Sequence, residues 1–129
     1  MTTRRLSRGF EVWSPDEGVE IIPFSFVING TSQPDGLAGD SLETMTRNSA
    51  GNFTGQLRDK PAVCFGGFAS ISSTTAVDIY GKVDWSSVAT NGSFTVRCMT
   101  GAVETDPADN VLVSGFLLVK KTTRKAHRA

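Results

Sequence analysis

Few residues of this chain have side chains that could carry acid–base or nucleophilic chemistry, and they are widely spaced. The single histidine, His127, lies in a basic segment near the end of the sequence, outside any folded pocket where it could act as a general base. Cys64 and Cys98 each have apolar neighbours in sequence, and isolated thiols in that setting usually pack as small core residues. We therefore expect two reduced, buried thiols, as suits assembly in a cytosol.

Carboxylates offer two further kinds of chemistry, acid–base pairs and cation binding. The nearest candidate pairs are Asp78 with Asp84 and Asp106 with Asp109. Acidic residues at strand ends and in Asp-Pro or Asp-Asn turns usually hold backbone amides, and no acidic loop has the spacing of a dedicated calcium site. Gly66-Gly67 lacks the Lys-Ser/Thr pair of a phosphate-binding loop. We predict no catalytic site, no metal and no cofactor.

Charge is distributed very unevenly along the chain. Residues 9–119 contain five basic and thirteen acidic residues, a net charge of −8, although the whole chain is neutral. The remaining basic residues lie at the two ends: Arg4, Arg5, Arg8, Lys120, Lys121, Arg124, Lys125 and Arg128. An acidic body with basic extensions is typical of a protein whose ends bind another surface.

The two ends also differ from the body in their apolar pattern. We predict that residues 1–18 form an arm in which Phe10 and Trp13 are apolar anchors, because buried aromatics supply most of the affinity of a contact. An extra edge strand packed on the chain's own domain is the alternative for residues 9–18. Residues 122–129 are predicted to be a basic tail without an apolar period.

Strand signals fill residues 19–121, which we predict to be one domain. Short runs of β-branched and aromatic residues are separated by turn-forming residues, and helical periodicity is absent. The run 20–29 alternates most clearly, while the polar, Gly-rich stretch 31–40 is predicted to be a loop. The apolar face of 20–29 contains Ile22, Phe24, Phe26 and Ile28. About seven antiparallel strands are expected, in a β-sandwich or a small barrel with extended termini.

Turn signals predict two hairpins and a bulge. Gly51 can supply the positive φ that a short hairpin loop after residues 42–47 requires. Asn91-Gly92 predicts a tight hairpin turn after residues 78–88. Gly66-Gly67 lies inside a strand and predicts a bulge or bend.

The last predicted strand, residues 110–120, is apolar on both of its faces. Leu112, Phe116 and Leu118 form one face. Such a strand is either central in a sandwich or covered on its second side by another subunit. We predict that the second face contacts a neighbouring subunit; it contains Val111, Val113, Leu117 and Val119.

Two classes of partner are disfavoured by the sequence. Nucleic acid would be repelled by the acidic body, and the aromatic residues are not interleaved with Lys or Arg on one face. A membrane span needs about 20 apolar residues, and no run approaches that length. The beginning of the sequence has no apolar stretch behind Arg4 and Arg5, so we expect no export signal.

Three stretches of the sequence resemble a group of small tailed-phage virion proteins. They are residues 23–30 (PFSFVING), 44–59 (TMTRNSAGNFTGQLRD) and 106–111 (DPADNV), the last entering the final apolar strand. The proteins of this group decorate or cement the outside of a capsid, commonly as trimers. The resemblance implies a structural virion protein, assembled in the host cytoplasm, that trimerises on the capsid surface and has the major capsid protein as partner.

Two alternative functions stay open. A small neck, tail or fibre-base component would share the same charges and strands. A carbohydrate- or surface-binding β-sandwich would be expected to expose aromatic residues in the loops 31–40 or 101–109, and neither loop contains one. An enzyme would need a convergent polar pocket, which no pattern in the sequence predicts.

Overall fold

The computed structural model of the protein describes residues 19–72 and 78–120. Within these residues the chain forms nine strands and one short helix. No helix in the described part is long and apolar enough to span a membrane. The elements are β1 (Val19–Val27), β2 (Asp35–Ala38), β3 (Leu42–Ser49), β4 (Asn52–Leu57), β5 (Val63–Ser72), β6 (Tyr80–Asp84), α1 (Val88–Asn91), β7 (Ser93–Thr100), β8 (Val103–Glu104) and β9 (Leu112–Lys120).

The described strands form two antiparallel sheets. The first sheet has the order β2-β1-β9-β5, and the second has the order β3-β4-β7-β6 with β8 paired to β7. Neither sheet closes on itself, so the all-β prediction is confirmed as a β-sandwich rather than a barrel. The number of strands exceeds the predicted seven because two short ones, β2 and β8, lie in stretches that sequence alone identifies only as polar loops.

The core lies between the sheets and is built by strand alternation. The apolar face predicted for β1 is confirmed, since its four side chains are at most 4% exposed. Two of them contact the second sheet through aromatic pairs: the ring centroids of Phe26 and Phe53 are 5.0 Å apart, and those of Phe24 and Phe94 are 4.9 Å apart. Tilted pairs at this spacing add to the free energy gained from burying the rings.

The predicted hairpins and bulge are present, with one difference. Gly51 has φ +68° in the turn between β3 and β4, and the β5 register shifts between Cys64 and Gly66. Strands β6 and β7 pair as predicted, but Asn91 ends α1 and Gly92 caps it with φ +78°. An Asn-Gly pair satisfies a helix C-terminus as well as a tight turn, so the strand pairing is confirmed but α1 takes the place of the predicted tight turn.

The prediction for the faces of β9 was wrong. Val113, Leu117 and Val119 are fully buried and Val111 is 9% exposed, so the predicted subunit-contact face is the core face of this chain. The opposite face of β9, with Leu112 and Phe116, remains exposed. Gly115 lies on the core face of β9, and its lack of a side chain allows β5 to approach closely. This close approach becomes visible only when the strands are paired in the structure.

Candidate interaction surface

Over residues 21–27, 66–72 and 112–118 the first sheet has an outer face without a charged side chain; Lys120, in the same phase of β9, lies beyond this region at the end of the strand. The cross-strand register places Pro23, Phe116 and Phe68 in one row, and Ser25, Ser114 and Ser70 in the next. We call this surface the outer face. It consists of Ile21, Pro23, Ser25, Val27, Gly66, Phe68, Ser70, Ser72, Leu112, Ser114, Phe116 and Leu118.

Two phenylalanines of the outer face expose much of their rings. Phe68 is 55% exposed and Phe116 is 38% exposed, with their ring centroids 5.7 Å apart. They border an open groove of about 460 Å³, whose other wall includes Pro23 and Ser25. Contiguous exposed apolar area of this kind commonly marks an interaction surface.

The outer surface of the second sheet is polar by contrast. One of its cross-strand rows contains Lys82, Arg97 and Asn52, and the Asn52 side-chain amide donates a hydrogen bond of 2.8 Å to Glu104 Oε2. A half-buried antiparallel sheet normally presents such a face to water. The sandwich is therefore asymmetric: one sheet has a solvated outer surface, and the other has an uncharged one.

Asp106, a candidate for paired-carboxylate chemistry, is occupied in holding a loop. It accepts hydrogen bonds of 2.6 Å from Arg47 Nη2 and 2.9 Å from the Gly51 amide. Burial raises the pKa of Asp106, but the hydrogen bonds from Arg47 and Gly51 outweigh it and hold that pKa below its ordinary value. Asp106 thus fastens the loop after β8 to the β3–β4 turn.

The other candidate carboxylates do not converge on a site. Asp109 accepts a hydrogen bond of 2.9 Å from the Gly30 amide, which ties its loop to the end of β1. Asp84 accepts hydrogen bonds from the Ser86 hydroxyl and amide, and these lower its pKa. Over residues 19–72 and 78–120, no three His, Cys, Asp or Glu side chains are grouped so as to hold a metal ion.

Both cysteines are free and buried, as predicted. Cys98 is fully buried, and burial raises the pKa of its thiol to about 12. Burial also raises the pKa of the Cys64 thiol, which lies 3.5 Å from the carbonyl oxygen of Gly66. Thiols with raised pKa values are poor nucleophiles and poor metal ligands at neutral pH, so both act as core side chains.

Most of the predicted contact residues lie outside the described part of the chain, but the points where their segments join the fold are described. Val19 and Lys120 are direct cross-strand partners, and Lys120 also pairs with Val63. Directly opposed residues in an antiparallel pair have Cα atoms about 5 Å apart. Residues 1–18 and 121–129 therefore join the sandwich at one corner. The predicted contact residues outside the described part are Arg4, Arg5, Arg8, Phe10, Trp13, Lys121, Arg124, Lys125 and Arg128.

Sequence reasoning missed the exposure of Phe116 because it reversed the faces of β9, and it made no prediction for Phe68 on β5. A usable signal was present: Ser114 and Lys120 fall in the same phase as Phe116, whereas the opposite phase contains no polar residue. No protein family, curated protein or solved structure matches this chain.

Proposed function

We propose that this chain is a structural virion protein that forms a homotrimer and binds the outer surface of a phage capsid as a decoration or cement protein. The observation that carries the proposal is the pairing of Val19 with Lys120. Because these residues are neighbours, the basic residues at both ends of the sequence belong to segments that start from one corner of an otherwise acidic body. The resemblance of the sequence to capsid-decorating proteins supports the same function.

The charge distribution suits a protein partner with an acidic surface. Exposed ion pairs contribute only about 0–1 kcal/mol each, so a single basic segment would bind weakly. A trimer would present three such corners to one lattice, and linked weak contacts raise the apparent affinity without any new chemistry. The acidic bodies of other copies also attract these basic segments. The capsid surface therefore has to bind the segments more strongly than those bodies do.

Binding to undecorated shells tests this function directly. We expect the full chain to co-sediment with shells assembled without it, and R4S/R5S/R8S to bind at least about tenfold more weakly, with wild-type binding falling as salt rises. K82S is the matched control, because Lys82 is an exposed cation on the polar surface of the second sheet and should bind as wild type does.

Two results would count against the proposal. Absence of binding to shells would remove the capsid as partner, and labelling of the tail or neck in virions would assign the protein to those structures instead. If R4S/R5S/R8S and K82S both bind shells as tightly as wild type does, the contact lies on the folded body and not on the basic segments.

A further inference from the structure

We infer that the outer face is the subunit contact of the proposed trimer, and that its occupant is the segment Phe10–Trp13 of a neighbouring copy. The inference rests on the trimeric assembly of the proposed function and adds the surface and the segment that build it. It replaces the contact through the core face of β9, because those side chains are buried within one chain.

Threefold symmetry requires two different surfaces. A twofold dimer can pack one patch against the same patch of its partner, but a closed ring of three joins one surface of each copy to a second surface of the next. The uncharged outer face supplies the first surface. A complementary apolar surface must therefore exist elsewhere on the same chain.

The described residues do not supply that second surface. Outside the outer face, the exposed large side chains are scattered: Leu37 and Phe65 lie on opposite edge strands of the first sheet. On or next to the second sheet they are Tyr80, which donates a hydrogen bond to the Gly101 carbonyl oxygen, Trp85 and Val103. They are interspersed with charged neighbours such as Lys82 and Glu104. The sequence contains one further apolar cluster, Phe10-Glu11-Val12-Trp13, and it lies in a segment that joins the fold at Val19.

The size of the outer face also favours a peptide segment over a second folded surface. With strands about 4.8 Å apart and about 3.4 Å per residue, seven residues on each of three strands give a projected area of about 340 Å². A stable interface buries about 800 Å² on each partner. The groove of about 460 Å³ beside Phe68 and Phe116 falls within the roughly 300–1,000 Å³ of clefts that enclose small ligands. Such a groove can take an aromatic side chain from a peptide segment.

The length of the connection favours a neighbouring copy over the segment's own sheet. Five residues lie between Trp13 and Val19, so the six Cα–Cα steps span at most about 20 Å. To fold back over its own outer face the segment must first reverse, and a reverse turn uses about four residues. The two steps that remain for Trp13 cover about 7 Å, whereas Phe116 is level with Pro23, about 14 Å along the strand from Val19. Trp13 therefore cannot reach the Phe116 of its own chain, although Phe10, three residues farther out, can. Extension into an adjacent copy needs no reversal.

The chemistry of the two surfaces matches. Aromatic side chains prefer offset or edge-to-face contacts with other rings, and Phe68 and Phe116 offer two exposed rings side by side. The serine row next to them, which includes Ser114, provides hydroxyl acceptors for the indole N–H of Trp13. The twelve residues of the outer face carry no charge, and Asp35 and Lys120 lie only at its margins, so the aromatic side chains displace no ion there. Glu11 of the segment stays in solvent in this arrangement.

The first test measures oligomeric state by sedimentation velocity on the full chain. We expect a trimer for wild type, and for F68S/F116S a rise of at least about a hundredfold in the concentration needed to assemble, since each central aromatic anchor typically accounts for tenfold or more. V103S is the matched control, because Val103 is 65% exposed on the other sheet, and it should assemble as wild type does. Full assembly of F68S/F116S would overturn the inference.

The second test follows Trp13 directly. In a W85F background Trp13 is the remaining tryptophan, and we expect its emission to be blue-shifted in the trimer and to shift to the red on dilution or in F68S/F116S. A blue shift that persists in the diluted monomer would place the segment on its own domain and overturn the inference. A Trp13 emission maximum at long wavelength that does not change on dilution would show that Trp13 stays in water, and it would also overturn the inference.

The third test mixes two chains that are each defective in one surface. A chain without residues 1–18 keeps the outer face, and F68S/F116S keeps the segment, so neither should trimerise alone while the mixture should form a one-to-one heterodimer. Trimerisation of the truncated chain by itself would show face-to-face packing instead.

Shell binding is measured separately, so that the two proposals can fail independently. A protein that assembles but does not bind shells would refute the capsid function alone. A protein that binds shells but shows no contact between the segment and the outer face would refute this inference alone.

Discussion

Gly115 is the position where the packing of the first sheet is most sensitive to a single added methyl group. It lies in β9 between β1 and β5, and a Cβ built on it would overlap the carbonyl oxygen of Phe68 and lie 2.8 Å from the Cα of Ala69 and 2.9 Å from the ring of Phe24. Two of these three obstacles are backbone atoms, which cannot rotate away. We therefore expect G115A to push β5 away from β9.

The expected loss of stability can be set from these contacts. Overpacking a core typically costs about 1–3 kcal/mol and occasionally more, and a clash with backbone belongs at the upper end, so we expect G115A to lower the free energy of unfolding by about 3 kcal/mol. Replacing Gly by Ala restricts the unfolded chain and gains at most about 1 kcal/mol, which does not offset the clash. For a domain of this size 3 kcal/mol corresponds to a fall in Tm of roughly 10–15 °C.

Two neighbouring glycines provide graded controls in the same sheet. A Cβ at Gly66 meets no atom within 4 Å, and one at Gly67 meets the side chains of Val83 and Leu117 at 2.8 and 2.9 Å. We expect G66A to leave the Tm unchanged or slightly raised, and G67A to fall between G66A and G115A because side chains can shift. Thermal and urea unfolding followed by circular dichroism measures all three. A G115A protein within about 2 °C of wild type would refute the close approach of β5 to β9.

Three further predictions concern the loop anchor, the thiols and the β9 faces. The pKa of Asp106 is depressed in the fold, so its stabilisation is present above its ordinary pKa of 3.8 and is lost as pH falls through the folded value. Urea unfolding should therefore show D106N less stable than wild type at about pH 7, with a difference that shrinks as the pH is lowered below 3.8, and a difference that does not shrink would contradict the anchor. With a thiol pKa of about 12 and no exposure, Cys98 should react with iodoacetamide only after unfolding and more slowly than Cys64, as measured by mass spectrometry; rapid labelling of Cys98 in the native protein would contradict its burial. L117A should lower the free energy of unfolding by about 2–5 kcal/mol and L112A by less than about 1 kcal/mol, and the reverse order in urea unfolding would restore the original face assignment.

Local patterns were sufficient to predict much of the fold. The alternation in β1, the positive φ of Gly51 and the bulge before Gly66 were all predicted from short windows of sequence and are present. Each depends on the covalent freedom of one residue or on the period of one strand. The short strands β2 and β8 were not predictable in this way, because the partner strand, and not their own polar residues, makes them strands.

The candidate surface required the tertiary structure. Both faces of β9 are rich in apolar residues, so burying either face would gain a similar free energy. The sequence alone therefore does not indicate which face is buried. Packing between the two sheets buries Val113, Leu117 and Val119 in one phase and leaves Phe116 exposed in the other. Interpretation of the last strand therefore needed its neighbours.

By itself, the sequence determined that this protein is an acidic, all-β body with basic ends and two core thiols, because composition and strand period are properties of the chain alone. Only the tertiary structure decided which face of the first sheet is left uncharged and exposed, and that Val19 and Lys120 lie side by side. Those facts follow from strand order, which places residues about a hundred positions apart in direct contact through backbone pairing that no local pattern encodes.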